Sequence, residues 1–215
     1  RAVHYLSTNE CDVVGGPLKQ EGKTTTGKAI AFCMSTKFGV GDTEFRTSNE
    51  KRIVQSVAFA VYKREIFEKV GLLDEQLVRN QDDELHYRIN KFGYRIMMVP
   101  EMKCTYFVRE SLIKLAIQYF QYGLYKPLVF KKVKSGFRAR HFVPSLFVLY
   151  LLFTPLAFYF PLFIIPAILY FAADIFFSFN SKNSIAIKFN ALLVYPVLHL
   201  AYGTGFLVGL GKRNK

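Results

Sequence analysis

A long apolar stretch in the second half of the chain constrains its fold most. Residues 142–179 contain one acid, Asp174, and no Lys or Arg. At about 1.5 Å per residue, one continuous helix of this length would far exceed the roughly 30 Å hydrocarbon core of a bilayer, whereas two short helices fit it. Pro155, Pro161 and Pro166 lie near the centre, where a turn can fall. The stretch therefore predicts a pair of membrane-crossing helices.

A further apolar run at residues 189–210 contains Pro196 and three glycines, which membrane helices tolerate. We therefore expect two or three transmembrane helices within residues 142–211. The alternative is a buried helix hairpin of a soluble protein, which these lengths disfavour.

The sequence does not decide whether the apolar run at residues 189–210 crosses the membrane. The segment 126–140 holds six Lys and Arg and no acid, so we expect it on the cytoplasmic side, as in a multi-pass protein of the inner membrane. A third full crossing would place the basic tail at residues 212–215 outside, against the usual charge bias. Either the last run is re-entrant or the tail breaks the rule.

Charge separates the two halves of the chain. Of its 16 acidic residues, all except Asp174 lie in residues 1–110, where basic and acidic residues nearly balance. The formal net charge of +13 is therefore a property of the membrane half. Basic residues that flank apolar spans are typical of a membrane protein, and no nucleic-acid-binding module is recognisable, so we expect no nucleic-acid partner.

Strands and helices alternate in the first half of the chain. Apolar runs at residues 12–17, 54–62 and 94–99 predict strands, while residues 63–70 and 82–92 predict helices. This order indicates an α/β sandwich. Residues 19–52 are rich in Lys, Thr, Gly and Ser, and predict a long, partly mobile loop.

Three consecutive acids, Asp82, Asp83 and Glu84, stand where the second helix begins. Clustered carboxylates push their proton affinities apart unless a cation or a helix N-terminus offsets the charge, so such a cluster can supply a general base. The structural alternative is that Asp82 caps the helix and the other two favour its positive end. Glu84 and Arg88 have the spacing of an i,i+4 ion pair.

The order of these motifs resembles the second half of a family 2 glycosyltransferase domain. The motifs are Gly-Leu-Leu-Asp-Glu at residues 71–75, Gln-Asp-Asp-Glu-Leu at 81–85 and Lys-Phe-Gly-Tyr at 91–94. The resemblance is to the membrane-bound bacterial branch that builds exopolysaccharide, including the succinoglycan-type transferases. It departs from the family at Gln81, where many members have Glu, and at Glu84, where many have Asp.

The resemblance implies a GT-A fold and an organisation in three parts. Residues 1–110 would be the C-terminal half of the catalytic domain. Residues 111–141 would be an amphipathic interfacial helix with a basic juxtamembrane segment, and the transmembrane helices would follow. The family's Gln-x-x-Arg-Trp element corresponds to residues 118–122. Gln118 matches its glutamine, while Gln121 stands in place of the arginine and Tyr122 in place of the tryptophan.

The resemblance also implies site residues. Asp82 matches the family's catalytic base, and Asp83 and Glu84 accompany it. The residues that would bind the sugar substrate or the acceptor are Gly15, Gly16, Gln81, Gln118 and Tyr122.

The implied reaction transfers a sugar, with inversion, from a nucleotide-diphosphate donor to a saccharide acceptor in cell-surface polysaccharide synthesis. We expect the acceptor to be lipid-linked, because the site would lie near the membrane. Mg²⁺ or Mn²⁺ would neutralise the leaving diphosphate. No Asp-x-Asp metal motif occurs in the 215 residues, so we expect the metal ligands upstream and no activity for this portion alone.

Two alternatives to this function stay open. One is a non-catalytic or split-transferase membrane partner without its own nucleotide site. The other, argued from Asp174, is a small membrane transporter.

Overall fold

The computed structural model describes residues 1–134 and 138–212, which form an α/β body followed by apolar helices. The helices are α1 Ala2–Ser7, α2 Thr25–Cys33, α3 Lys37–Val40, α4 Glu44–Thr47, α5 Arg64–Val70, α6 Gln81–Lys91, α7 Leu112–Val133, α8 Ala139–Leu152, α9 Ile165–Phe179 and α10 Ile185–Leu210. The strands are β1 Val13–Gly16, β2 Leu18–Glu21, β3 Arg52–Val54, β4 Ala58–Tyr62, β5 Ile96–Met98 and β6 Cys104–Phe107. Short 3₁₀ segments lie at Pro100–Met102, Thr154–Phe158 and Pro161–Ile164.

A four-stranded mixed sheet in the order β3-β5-β1-β4 forms the centre of the body. β1 and β5 are parallel, whereas β4 and β3 are antiparallel to their neighbours. The predicted strand at residues 54–62 is two strands, because residues 55–57 leave the sheet between β3 and β4. β6, which pairs in parallel with β2 in a separate two-stranded sheet, is missing from the sequence-based prediction.

Helices cover both faces of the central sheet. Alternate residues of β1 point to opposite faces, as the pleat requires. Val13 packs in a core with side chains of α5 and α6, and Val14 packs on the other face, where α1 supplies Tyr5 and Leu6. The predicted α/β layering is therefore confirmed, with a helical segment after it.

Residues 19–52 are ordered helices and a strand, so the prediction of a long mobile loop is wrong. The polar residues that suggested a loop are helix caps. Thr24 and Thr36 accept hydrogen bonds from the backbone N–H groups of Gly27 and Gly39, and so begin α2 and α3. The small apolar residues of α2 lie in the core.

α7 and α10 pack closely along each other. A Cβ atom on Gly123 of α7 would lie 2.1 Å from the carbonyl oxygen of Tyr202, and one on Gly205 of α10 would lie 2.1 Å from that of Phe120. Backbones this close leave room for hydrogen only, so glycine permits the contact. α7, predicted as an amphipathic helix from residue 111 to about 125, continues through Pro127 to Val133.

α8 and α9 form a hairpin whose turn falls at the prolines, as predicted. The ring of Phe147 in α8 stacks on that of Tyr170 in α9 with centroids 4.2 Å apart, and the hydroxyl of Tyr150 donates to the carbonyl of Phe163 at 2.8 Å. The turn consists of the two apolar 3₁₀ segments around Pro155 and Pro161.

Two helical segments in the described part of the chain are long and apolar enough to cross a membrane. They are Pro161–Phe179 and Ile185–Leu210, and α8 is a shorter apolar helix. Asp174 is buried inside α9 and accepts a hydrogen bond from Ser178 at 3.2 Å. These helices support association with a membrane.

Candidate active site

A cavity of about 710 Å³ lies between the α/β body and the apolar helices. At one end it is lined by polar side chains of the body, among them Ser56, Asp82 and Asp83. At the other end it is lined by apolar side chains of α8 and α9, among them Val143 and Leu169. This volume falls within the range typical of ligand pockets.

Asp82 is placed on the cavity wall by the start of α6. Asn80 adopts a left-handed conformation with φ of 63°, which turns the chain into the helix, and its side-chain amide donates to the carbonyl of Tyr122 in α7 at 3.0 Å. α6 then begins at Gln81, so Asp82 is its second residue rather than its cap. Asp82 is open to the cavity yet closely surrounded by protein. That partial burial, together with the neighbouring charge of Asp83, raises its pKa above the ordinary value.

Asp83 and Lys126 form an ion pair beside Asp82. The ammonium of Lys126 is 2.7 Å from a carboxylate oxygen of Asp83 and donates to the hydroxyl of Tyr87 at 3.1 Å. The hydroxyl of Ser56 donates to the other oxygen of Asp83 at 3.2 Å. Burial alone would raise the pKa of Asp83, but Lys126 outweighs it and lowers the pKa to about 2. Asp83 is therefore a fixed negative charge, while Asp82 is the carboxylate of the pair whose pKa is raised.

His86 is part of the same hydrogen-bond network. Its Nδ1 lies 2.9 Å from the hydroxyl of Ser56 and its Nε2 lies 2.9 Å from the hydroxyl of Tyr62. Burial lowers the pKa of His86 to about 4, so the ring is neutral at neutral pH. The ring thereby fixes Ser56, which in turn holds Asp83.

Glu84, the third acid of the cluster, points away from the cavity. Both of its oxygens accept from the guanidinium of Arg88, with a shortest distance of 2.7 Å, which confirms the predicted i,i+4 pair. Arg88 also donates to the carbonyls of Val70 and Leu72. Glu84 therefore ties α6 to the end of α5, and its predicted catalytic role has no geometric support.

The predicted substrate-binding residues separate into two groups. Tyr122 lines the cavity, while Gly15, Gly16, Gln81 and Gln118 do not. Gln118 is buried, and its amide donates to the hydroxyls of Tyr106 and Tyr122 at 2.9 Å each. It therefore positions Tyr122 rather than contacting the cavity.

Close packing accounts for both glycines of β1. A Cβ atom on Gly15 would lie 2.8 Å from the side chain of Val57, and one on Gly16 would lie 2.0 Å from the carbonyl oxygen of Met102. Their contribution to sugar binding stays a prediction.

Three arginines also line the cavity. Arg138 and Arg140, at the start of α8, donate to the two carboxylate oxygens of Asp42 at 2.6 and 2.5 Å, and all three residues line the cavity. Arg46 lines it as well, with its guanidinium over the ring of Tyr106 at 5.2 Å. The cavity therefore holds cations together with carboxylates and apolar side chains.

A metal ion finds no ligand set in the described part of the chain. Among residues 1–134 and 138–212, no group of three or more His, Cys, Asp or Glu side chains is arranged to hold one. Next to Asp82 and Asp83 the positive charge is the ammonium of Lys126. These two carboxylates therefore do not form a Mg²⁺ or Mn²⁺ site by themselves.

The sequence does not predict Lys126 as a site residue, because its position in the basic run at residues 126–140 assigns it to the juxtamembrane segment. It is only 4% exposed. A signal for it exists, since Tyr119, Tyr122 and Lys126 follow one another at helical spacing and all three line the cavity. The predicted surface segment therefore contributes a buried charge to the site. Residues 135–137 of that segment lie outside the described residues.

The chain is similar to two curated proteins over much of its length. It is 33% identical over 144 residues to the succinoglycan biosynthesis protein ExoA of Rhizobium meliloti, a match that covers 67% of this chain and 44% of that protein. It is 23% identical over 120 residues to a dolichyl N-acetyl-alpha-D-glucosaminyl phosphate 3-beta-D-2,3-diacetamido-2,3-dideoxy-beta-D-glucuronosyltransferase of Methanococcus voltae, covering 55% of this chain and 37% of that protein.

The chain thus spans less than half the length of these relatives. No family model and no solved structure matches it. By sequence, the chain is similar to a protein of succinoglycan biosynthesis and to a glycosyltransferase.

Proposed function

We propose that this chain carries the acceptor side of an inverting, membrane-associated glycosyltransferase of family 2 with a GT-A fold. The full protein would move a sugar from a nucleotide-diphosphate donor to a lipid-linked saccharide in cell-surface polysaccharide synthesis. The similarity to a succinoglycan biosynthesis protein and to a glucuronosyltransferase supports the class of reaction.

The observation that carries the proposal is the combination of chemistry in one cavity. A carboxylate with a raised pKa, three arginines and apolar side chains of α8 and α9 line it together. A lipid-linked saccharide presents the matching groups, which are hydroxyls, phosphate and hydrocarbon. The cavity therefore suits an acceptor whose sugar reaches Asp82 while its lipid enters between α8 and α9.

In this mechanism Asp82 is the general base. It takes the proton from an acceptor hydroxyl as that oxygen attacks the anomeric carbon of the donor sugar. The bond from that carbon to the diphosphate breaks, and the nucleoside diphosphate leaves from the opposite face, so the configuration inverts. A base works best when its pKa approaches the working pH, which is the direction in which burial and Asp83 shift Asp82.

The partners of Asp82 have a positioning role. Lys126 keeps Asp83 ionised, and Asp83 holds the charge that raises the pKa of Asp82. Gln118 and Asn80 hold Tyr122 on the cavity wall, which supports a role for Tyr122 in binding the acceptor sugar.

The test is Asp82→Asn in the full-length protein, with turnover of nucleotide sugars as the readout. We expect turnover to fall by at least about a hundredfold, the usual contribution of a general base, with membrane association unchanged. The matched control is Glu75→Gln, which neutralises an exposed acid in the loop before α6.

Equal turnover in Asp82→Asn and the parent protein would remove Asp82 from the mechanism. Absence of nucleotide-sugar turnover in the parent full-length protein would instead favour the non-catalytic or split-transferase partner.

A further inference from the structure

α10 is the longest helix of the described chain, and hydropathy alone assigns it to the membrane. It contains 26 residues, about 39 Å at 1.5 Å per residue, which is enough to cross a bilayer. Its neighbours, however, include helices of the α/β body and α7, and α8 packs on it around Gly203, where an added Cβ atom would lie 2.4 Å from the carbonyl oxygen of Pro144.

The first half of α10 packs on α2 and α3. Asn190 accepts from the hydroxyl of Thr26 at 3.1 Å, and the hydroxyl of Tyr195 lies 3.1 Å from that of Thr36. One turn later the Nε2 atom of His199 donates to the carbonyl of Phe38 at 2.8 Å. These contacts place polar side chains and backbone of the body against the helix.

The second half of α10 packs on α7. Gly205 and Gly209 lie against the backbone of Phe120 and Leu124, and the ammonium of Lys131 donates to the carbonyl of Leu210 at 3.1 Å. α7 is the helix whose Lys126 binds Asp83 in the cavity. If α10 crossed the bilayer, α7 and its lysines would have to cross with it.

The other face of α10 is apolar and exposed. Ile185, Phe189, Leu193 and Val208 are each more than half exposed and recur at helical spacing. Lys182 precedes the helix and Lys212 follows it, both exposed. An exposed apolar face on a helix whose opposite face packs on protein suits contact with lipid, and cations at both ends favour anionic headgroups.

The α8–α9 hairpin, by contrast, is held only near its open end. The pairs from Arg138 and Arg140 to Asp42, the stacking of Phe177 on Phe38 at 4.8 Å and the 2.9 Å hydrogen bond between Tyr170 and His199 of α10 fix that end. Its turn is apolar and exposed, with Phe158 at 89%. Residues 153–164 contain no charged side chain that would favour water.

We propose that α10 lies along the membrane surface without crossing it, and that the α8–α9 hairpin is the segment that enters the lipid. Because a hairpin returns to its starting side, residues 1–134 and 180–212 remain on one face of the membrane. The partner is a bilayer with anionic headgroups. This arrangement resolves the conflict between a third crossing and the basic tail, and it does not rest on the transferase activity.

Cysteine labelling of the full-length protein in sealed membrane vesicles tests the course of α10. Lys188→Cys and Lys212→Cys place thiols near its two ends, in a Cys104→Ser background that retains only the buried Cys11 and Cys33 of this chain's own cysteines. We expect a membrane-impermeant maleimide to label both sites from the same side. Labelling from opposite sides would overturn the proposal, and the background variant measures nonspecific reaction.

Fluorescence quenching tests the hairpin in the same preparation. A fluorophore on Phe158→Cys should be quenched by spin-labelled lipid several times more strongly than one on Glu68→Cys, an exposed position of α5. Equal quenching at the two positions would overturn the insertion of the hairpin. Failure of the full-length protein to float with vesicles containing phosphatidylglycerol would overturn the membrane as the partner.

Discussion

Replacing Lys126 with Met leaves the carboxylate of Asp83 without its counter-charge while keeping an unbranched side chain of similar length. The pair connects α7 to α6, beside the hydrogen bond from Lys126 to Tyr87 and the one from Asn80 to Tyr122. The substitution therefore perturbs stability and the chemistry of Asp82 at once, and the two effects can be measured separately.

The stability effect follows from the exposure of the two partners. Breaking a buried ion pair costs about 3–5 kcal/mol, whereas an exposed pair contributes about 0–1 kcal/mol. The side chain of Lys126 is 5% exposed and that of Asp83 is 28% exposed, so the pair lies nearer the buried limit. We expect a loss of about 2–3 kcal/mol in the free energy of unfolding, or about 4–12 °C in Tm for a domain of this size.

The catalytic effect has a definite sign. Removing this positive charge raises the pKa values of the neighbouring carboxylates Asp82 and Asp83, because Lys126 lowers both. A base acts in its ionised form, so a higher pKa reduces the active fraction at any given acidic pH. The acid limb of kcat/KM should therefore move to higher pH.

The assay is a pH profile of nucleotide-sugar turnover by the full-length protein, with thermal unfolding followed by circular dichroism. Lys114→Met, an exposed position on the same helix, is the matched control and should change neither quantity. An acid limb that stays in place in a folded Lys126→Met protein would refute the electrostatic link between Lys126 and Asp82. An unchanged Tm would refute the estimate for the ion pair.

The remaining predictions concern the supports of the site. Gly205→Val should force α7 and α10 apart and cost about 1–3 kcal/mol by overpacking, while Thr204→Val on the exposed face should leave thermal stability unchanged. Because burial lowers the pKa of His86 from 6.5 to about 4, the parent protein should lose stability as the pH falls through that window. In His86→Gln the decline between pH 6.5 and 4 should shrink, and an identical decline by chemical denaturation would contradict the burial argument.

Local patterns predicted much of the α/β body. β1, α5 and α6 follow from apolar runs and from Gly71, and the hairpin turn follows from the prolines. Residues 19–52 were misread because threonine and glycine are common both in loops and at helix caps. The difference depends on whether the next residues find a core, and here α2 packs against α7 and α10, which are distant in sequence.

The carboxylates of the candidate site could be predicted from the sequence, whereas the residues that bind them could not. Asp82 and Asp83 are adjacent in sequence, so their mutual repulsion could be inferred without a fold. The cation that offsets Asp83 could not be inferred, because Lys126 is 43 residues away and is one of six basic residues within residues 126–140. Glu84 is adjacent to Asp83 in sequence but not in the site. Successive side chains of a helix point in different directions, so Glu84 faces Arg88 instead of the cavity.

α10 illustrates why composition alone does not distinguish a membrane span from a core helix. Both environments remove apolar side chains from water, so hydropathy scores them alike. The difference lies in what the backbone touches. Gly205 and Gly209 bring α10 onto α7, and α7 is fixed by the ion pair of Lys126 with Asp83. The ion pair that offsets the charge of Asp83 therefore also joins α7, and with it the second half of α10, to α6 of the body.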